Sequence, residues 1–115
     1  MNRGDVVTVD FSLYDPQDKS RPALVVQNDR DNARMAKTIV ALITSNVRRA
    51  GEDTQCVLDR NHPDFAASGL RRDSAVNCSN LYTIQKSDIS RVIGRLAEAT
   101  MQQVDACLKA ALGLP

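Results

Sequence analysis

Polar residues at the ends of two apolar segments are the part of this sequence best suited to chemistry. Arg21 directly precedes the apolar segment 22–27, and Thr44 directly follows segment 38–43, the most apolar run of the chain. If these segments are neighbouring strands, a guanidinium and a hydroxyl meet at one edge of a sheet. A planar guanidinium binds two phosphate oxygens and keeps its charge, so the pair suits a phosphate ligand. Spacing alone favours plainer roles, an exposed loop end for Arg21 and a strand-capping hydroxyl for Thr44.

Few other groups in the sequence suit catalysis. The single histidine, His62, stands beside Pro63 in a predicted loop, where a solvent-exposed side chain is the commoner role, and a mechanism with two histidines is excluded. The sequence has no glycine-rich phosphate loop, H-E-x-x-H motif or nucleophile elbow. The carboxylates are scattered and lack the spacing of a metal site. We therefore expect no metal and no cofactor.

The composition predicts one domain over residues 1–115, because 115 residues with 43% hydrophobic content are enough for one core. Fifteen basic and fourteen acidic residues give a net charge of +1, which by itself favours no polyanionic partner. The aromatic residues are two phenylalanines and two tyrosines, with no tryptophan, so a base-stacking platform would be hard to build. Nucleic acid would be held mainly by arginines, hydroxyls and amides.

Three features of the sequence predict a cytoplasmic protein without a membrane span. The first five residues reach an acidic side chain at once and include no apolar region of a secretory signal. The longest uncharged stretch, 38–47, is too short to cross a bilayer. The three cysteines are odd in number, widely spaced and without a C-x-x-C pair, which indicates reduced thiols.

The predicted elements are several strands followed by one helix. Alternating or continuous apolar residues predict strands over 5–11, 22–27, 38–43, 54–58 and 74–84, with a return to the sheet at Val92 and Ile93. We interpret 12–20 as a loop, 28–37 as a loop with a helical turn, and 59–68 as irregular. An amphipathic helix is predicted from the spacing of Met101, Val104, Leu108, Ala111 and Leu112.

Thr100 and Gln103 have the spacing of a capping box, although this helix could begin a turn earlier, and Gly113 suits its end. Strands in series followed by a terminal helix indicate an α+β fold, mainly β, with a curled, barrel-like antiparallel sheet.

Short motifs along the chain resemble the MazF/PemK toxin family, in order and over nearly the whole length. In the first half they are Gly4-Asp5-Val6, Arg21-Pro22-Ala23-Leu24-Val25-Val26, Asn28-Asp29 and Ile43-Thr44-Ser45. In the second half they are Gly69-Leu70, Asp73-Ser74-Ala75-Val76, Leu81-Tyr82-Thr83-Ile84 with Lys86, Ile93-Gly94 and the Met101, Val104, Leu108 helix. Each motif is short, but their common order is specific.

The resemblance implies an SH3-like antiparallel barrel with a C-terminal helix, as in MazF and CcdB, and a symmetric homodimer. It implies a toxin endoribonuclease that cleaves single-stranded RNA, such as messenger RNA, at specific short sequences and is inhibited by an antitoxin. By position, Arg21 and Thr44 correspond to the catalytic arginine and threonine. The implied RNA contacts are Lys19, Ser20, Ser45, Asn46, Ser79 and Asn80.

Two departures from the family pattern leave the recognised sequence unpredicted. The first loop is shorter and reads Asp-Pro-Gln-Asp at 15–18, and Ser79 stands where the family has a carboxylate. The doublets Arg48-Arg49 and Arg71-Arg72 are the cations best suited to meet phosphates, although a solvated loop is the commoner role for such pairs.

The mechanistic hypothesis is attack by the RNA 2′-hydroxyl on the adjacent phosphorus, which gives a 2′,3′-cyclic phosphate and a 5′-hydroxyl without a metal ion. Which group removes the proton stays open. Two alternatives remain at the level of sequence. One is a gyrase poison of the CcdB type, which uses a tryptophan near its C-terminus, whereas this chain ends Gly113-Leu114-Pro115. The other is a non-catalytic SH3-like binding module.

Overall fold

Six strands and three helices lie within the residues that the computed structural model describes, 1–14 and 20–115. In chain order they are β1 (Asp5–Asp10), β2 (Ser20–Val25), α1 (Asp29–Arg34), β3 (Lys37–Thr44), β4 (Gln55–Leu58), α2 (Phe65–Ser68), β5 (Ser74–Gln85), β6 (Ile89–Arg95) and α3 (Glu98–Leu112), with a short 3₁₀ turn (Lys86–Asp88) between β5 and β6. None of these helices is long and apolar enough to cross a membrane.

The strands form one antiparallel sheet in the order β4-β5-β3-β2-β1-β6. Alternation along β1 divides its valines between two apolar clusters, with Val6 in one and Val7 and Val9 in the other. The sheet curls without closing in the described residues, because β4 and β6 are its two edges. The predicted α+β, mainly β, barrel-like antiparallel fold with a C-terminal helix is thus confirmed.

Helix α3 covers the cluster that contains Val6, and its buried side chains are Thr100, Met101, Val104 and Cys107. The predicted apolar face is confirmed up to Ala111, but Leu112 is 59% exposed. The helix begins at Glu98, which is the earlier start that the sequence left open, so Thr100 and Gln103 do not form its capping box. Ala97 precedes the first turn, and its own side chain cannot accept a hydrogen bond.

A carboxylate from another part of the chain caps α3 instead. Asp64 Oδ2 accepts a hydrogen bond from the Ala97 N–H at 2.8 Å, and the Thr100 hydroxyl donates to the same side chain. These hydrogen bonds, that from Thr100 first, lower the pKa of Asp64 below its usual value. The cap joins the segment before α2 to the first turn of α3.

The region 59–68, predicted to be irregular, contains the short helix α2, which lies directly on β6. Gly69 ends α2 with a φ of 74°, and a Cβ atom there would lie 2.1 Å from the Ile93 carbonyl oxygen. A Cβ atom on Gly94 would lie 2.2 Å from the Ser68 carbonyl carbon. The two backbones therefore pack without space for a side chain at either glycine.

Strand β5 carries a bulge opposite the middle of β3. Leu42 pairs with Asn77, whereas the preceding residue, Ala41, pairs with Leu81. Residues 78–80 of β5 are therefore extra relative to β3 and have no partner on that strand. The bulge bends β5 beside its pairing with β4.

Candidate functional site

Arg21 and Thr44 lie at the same end of the paired strands β2 and β3. The recorded pairs are Ala23 with Leu42, Leu24 with Ala41 and Val25 with Val40. The same register continued by two residues brings Arg21 level with Thr44 at the ends of the two strands. Both are only partly exposed.

The Thr44 hydroxyl has a defined orientation. Its Oγ accepts a hydrogen bond from the Asn46 N–H at 3.0 Å, and the Asn46 side-chain oxygen accepts one from the Arg48 N–H at 3.3 Å. These two turns fix the chain as it leaves β3. Because the Oγ acts as an acceptor towards Asn46, its hydrogen points elsewhere and can be donated to a ligand oxygen.

Arg21 lines a depression of about 270 Å³ that continues into a larger one. The smaller depression is lined by Arg21, Pro22, Ile43, Ser45, Leu70, Arg71, Arg72 and Ser74. The larger, of about 580 Å³, shares Pro22, Leu70 and Arg71 and adds Thr8, Gly69, Arg91, Val92 and Ile93. We call the two together the basic groove. Four arginines and no carboxylate are among the described residues that line it.

Thr44 lines a different depression, of about 250 Å³, with Asn46, Arg48, Arg49, Gln55 and Asn77. Alternate residues of segment 43–46 face the two sides: Ile43 and Ser45 line the basic groove, and Thr44 and Asn46 line the second depression. The end of β3 is therefore a ridge between them. Arg21 and Thr44 thus line depressions on either side of this ridge.

The other predicted contact residues around this ridge are exposed. Ser20 begins β2, where it pairs with Asp10, and Ser45, Asn46, Arg48 and Arg49 follow the end of β3. Arg49 is held by Glu52, because its Nε donates to both carboxylate oxygens at 3.1 and 3.0 Å. Lys19 lies outside the described residues.

Ser79 and Asn80 lie in the bulge of β5. The Ser79 N–H donates to the Asn77 side-chain oxygen at 3.0 Å, which holds the bulge against the strand. Neither residue lines the depressions described above, although Asn77 lines the one beside Thr44. Their distance along β5 from Asn77 is two and three positions.

Two sets of functional candidates were missed from the sequence. Gln55 and Asn77 come from different strands and meet only because β4 pairs with β5. The only indication in the sequence was that each of these two predicted strands contains an amide side chain among apolar residues. Arg91 joins the basic groove through the pairing of β6 with β1. Single exposed arginines carry no such signal in a sequence.

The single histidine and three of the aromatic side chains make contacts within the protein. The His62 Nδ1 accepts a hydrogen bond from the Asp64 N–H at 3.0 Å within its turn. Three of the aromatic rings pack on one another, with Tyr14 stacked on Tyr82 at 6.2 Å and Phe11 5.0 Å from Tyr82. In the part of the chain that is described, no group of three His, Cys, Asp or Glu residues could hold a metal ion.

The fold agrees with one protein family. The family described as PemK-like, MazF-like toxin of type II toxin–antitoxin system matches residues 2–112. The chain belongs to this family. The MazF-like chain is 33% identical to Endoribonuclease EndoA of Bacillus subtilis (strain 168) over 116 residues, which cover 99% of this chain and 96% of that protein. It is 36% identical to Endoribonuclease MazF6 of Mycobacterium tuberculosis (strain H37Rv) over 97 residues, 84% of this chain and 81% of that protein.

Solved structures of MazF-like toxins have the same architecture. A mycobacterial endoribonuclease in complex with its cognate antitoxin superposes with a TM-score of 0.80 at 25% identity, over all of this chain and 97% of that one. Mycobacterium tuberculosis toxin MazF-mt6 superposes with a TM-score of 0.78 at 27% identity, over 96% of this chain and 98% of that one. The similarity thus extends over the whole sheet and α3.

Proposed function

We propose that this MazF-like chain is a toxin endoribonuclease that cuts single-stranded RNA, such as messenger RNA, at short specific sequences. The observation that carries the proposal is the β2–β3 register, which brings Arg21 and Thr44 to one end of the sheet. Two further findings support it: the basic groove beside Arg21 suits a polyanionic strand, and the relatives are named endoribonucleases.

The proposed reaction is an intramolecular displacement at phosphorus. The 2′-oxygen of the RNA attacks the neighbouring phosphorus and the bond from phosphorus to O5′ breaks, which leaves a 2′,3′-cyclic phosphate and a 5′-hydroxyl. A proton leaves the 2′-hydroxyl and another reaches O5′. The nucleophile is already beside its target, so positioning supplies much of the rate enhancement without a metal ion.

Arg21 and Thr44 have complementary roles in this scheme. The guanidinium donates hydrogen bonds to the non-bridging oxygens, where negative charge grows in the transition state. Thr44 donates its hydroxyl hydrogen to the same oxygens, since its Oγ already accepts from the Asn46 N–H. A guanidinium stays protonated near neutral pH, so Arg21 suits donation of a proton to O5′ better than removal of one from the 2′-hydroxyl.

The remaining predicted residues complete the proposed RNA path. Ser20, Ser45, Asn46, Arg48 and Arg49 are exposed around the ridge and are assigned to contacts with the nucleotides on either side of the cut. Lys19, Ser79 and Asn80 are proposed RNA contacts on the family resemblance alone.

Regulation and assembly belong to the same proposal. A partner antitoxin would inhibit the enzyme by covering the basic groove, and its four arginines would bind an acidic segment of that partner.

We further propose that residues 1–115 act as one unit, that the unit works as a homodimer, and that it acts in the cytoplasm, where messenger RNA is translated.

Cleavage of a long unstructured RNA in the presence of a chelator tests the function. We expect the purified protein to cut it and Arg21→Ala to cut at least about 100-fold more slowly, the typical effect of removing one donor to a developing oxyanion. Equal cutting by the two proteins would contradict the proposal.

The chemistry has its own test in a substrate with one 2′-hydroxyl replaced by hydrogen at the nucleotide before the cut. Cutting at that position should stop while cutting elsewhere continues, because the nucleophile is lost only there. Persistent cleavage at the modified nucleotide would exclude attack by the 2′-hydroxyl.

A further inference from the structure

The depression beside Thr44 contains a pair of side-chain amides with restricted freedom. Gln55 is only 8% exposed, and it pairs with Asn77 across β4 and β5. The Gln55 Nε2 donates to the Asn77 Oδ1 at 2.8 Å and to the Thr54 Oγ at 3.4 Å. The Asn77 Oδ1 also accepts from the Ser79 N–H. These contacts hold both amides in one orientation.

One acceptor and one donor of the pair are left over. Both hydrogens of the Gln55 amide and the oxygen of the Asn77 amide are used by the contacts above, which leaves the Gln55 Oε1 and the Asn77 Nδ2. Neither atom has a hydrogen-bond partner within residues 1–14 and 20–115. Every fully buried side-chain nitrogen or oxygen in these residues has a partner, so the two atoms are not fully buried. Gln55 and Asn77 both line the depression of about 250 Å³, so these two atoms are available to a ligand there.

A fixed acceptor beside a fixed donor matches the edge of a nucleobase. Each base of RNA presents its own order of donors and acceptors on its pairing edge, so a donor and an acceptor fixed in one order fit some bases better than others. Amide side chains commonly read such edges. An aliphatic ligand would leave both atoms unpaired, and a phosphate anion would leave the Gln55 Oε1 unpaired, which is unfavourable in a half-buried site.

The surroundings place such a base next to the proposed cut. Thr44 lines the same depression, and the exposed Arg48 stands on its rim, where it suits a phosphate of the same nucleotide. Arg49 is less available, because Glu52 holds it.

We infer that Gln55 and Asn77 form a base-recognition subsite that selects one unpaired nucleobase of the RNA beside the cleaved bond. The inference rests on the proposed function and adds to it a determinant of sequence specificity. We call this pair the amide subsite.

A structural role of Asn77 has to be separated from a recognition role, because its Oδ1 holds the bulge. Asn77→Asp keeps an oxygen at that position and replaces the Nδ2 donor by a second acceptor. Asn61→Asp is a matched control, since it makes the same change at an exposed residue that lines none of the depressions described. Gln55→Met provides a second variant, which removes the Oε1 acceptor at similar side-chain length.

The experiment uses an RNA pool of random sequence in the presence of a chelator, with cut ends mapped by sequencing. Folding of each variant is checked first by thermal unfolding. The test needs only one of the two subsite variants, Asn77→Asp or Gln55→Met, to be folded. We expect Asn61→Asp to keep the nucleotide preference of the unaltered protein. Asn77→Asp or Gln55→Met should weaken the preference at one position beside the cut by about 10-fold, the typical discrimination by one amide contact to a base.

The preference is read from relative counts, so a change in overall rate leaves it unaffected. An unchanged preference at every position, with cutting intact, would overturn the amide subsite alone, and so would a preference altered equally by Asn61→Asp. Absence of cutting by the unaltered protein, or equal cutting by Arg21→Ala, would overturn the proposed function and the subsite with it.

Discussion

At the scale of single residues, the site depends on which atoms of a polar side chain are already used. The Thr44 Oγ accepts from the Asn46 N–H, so the property that suits it to phosphate is the hydrogen it still has to donate. Arg21 and Thr44 became candidates because each stands at the end of an apolar segment, but their catalytic roles were assigned from the family resemblance. The sequence did not predict Gln55 and Asn77, because their shared hydrogen bond depends on a pairing between residues 22 positions apart.

The role of Thr44 as a donor is tested by replacing it with serine and with valine. Thr44→Ser keeps the hydroxyl and should cleave RNA within about 10-fold of the unaltered rate, whereas Thr44→Val keeps the shape and should lose about 100-fold. Single-turnover cleavage of one RNA measures both. Thr83→Val is the matched control, because Thr83 is exposed on β5 and lines none of the depressions described. A Thr44→Val rate close to that of Thr44→Ser would contradict the role.

The buried cysteines make stability depend on pH in the alkaline range. Burial, as the first cause, raises the pKa of Cys56 to about 11 and that of Cys78 to about 12 from an ordinary value of 9.0. Both thiols stay neutral in the folded protein above pH 9, where the unfolded chain loses their protons. Their contribution to stability is therefore full below pH 9 and falls as the pH rises towards 11 or 12.

Urea unfolding at pH 7, 9 and 10.5, compared between the unaltered protein and Cys78→Ala, measures this effect. The stability advantage of the unaltered protein should shrink by about 1 kcal/mol for each pH unit above 9. A constant difference across the three values would show that the thiol ionises equally in both states.

At the scale of elements, the sequence predicted the strands and α3 well because their apolar patterns are local. Its errors lie where distant segments meet. The spacing of Thr100 and Gln103 indicated Thr100 as the cap of α3. The cap is Asp64, 33 residues before Ala97, and the Thr100 hydroxyl donates a hydrogen bond to its carboxylate. Helix α2 was missed because its four residues have no periodicity of their own and are held by contact with β6.

The cap from Asp64 should contribute measurably to stability. Asp64→Ala should lower the free energy of unfolding at pH 7 by about 1 kcal/mol, the usual effect of removing a helix N-cap. Because the pKa of Asp64 is lowered in the folded protein, this contribution is present above pH 4 and is lost as the pH falls further. Urea unfolding at pH 7 and pH 3 measures it, with Asp53→Ala, an exposed aspartate, as the control. An equal effect of the two substitutions at pH 7 would exclude the cap.

At the scale of the whole molecule, the net charge concealed the basic groove. A balance of +1 gave no reason to expect a polyanion, yet four arginines from three segments of the chain line the basic groove. The acidic residues are placed elsewhere, for example in the ion pairs of Arg3 with Asp105 and of Arg60 with Asp73. Charge segregation of this kind arises only on folding, so composition could not reveal it.

The groove should determine how RNA affinity depends on salt. Replacement of Arg71 or Arg91 by glutamine should reduce the slope of log affinity against log salt by about 0.7 each, the value for one phosphate contact to a single strand. Arg34→Gln on α1 is the control, since Arg34 lines none of the depressions described. Binding is measured with an RNA that lacks the reactive 2′-hydroxyl. Slopes that match the control would place the RNA elsewhere.

Gly69 lies against the backbone of Ile93 and Gly94 against that of Ser68, and this close packing restricts how the wall of the groove can vary. A side chain at either glycine would collide with backbone, so α2 and β6 keep this close spacing only while both positions are glycine. The two arginines that follow Gly69 thus project from a fixed anchor, and the side chains at 71 and 72 can be exchanged while their main chain stays in place. A toxin built in this way can acquire a new RNA preference through single side-chain changes on that wall, without refolding the segment that carries them.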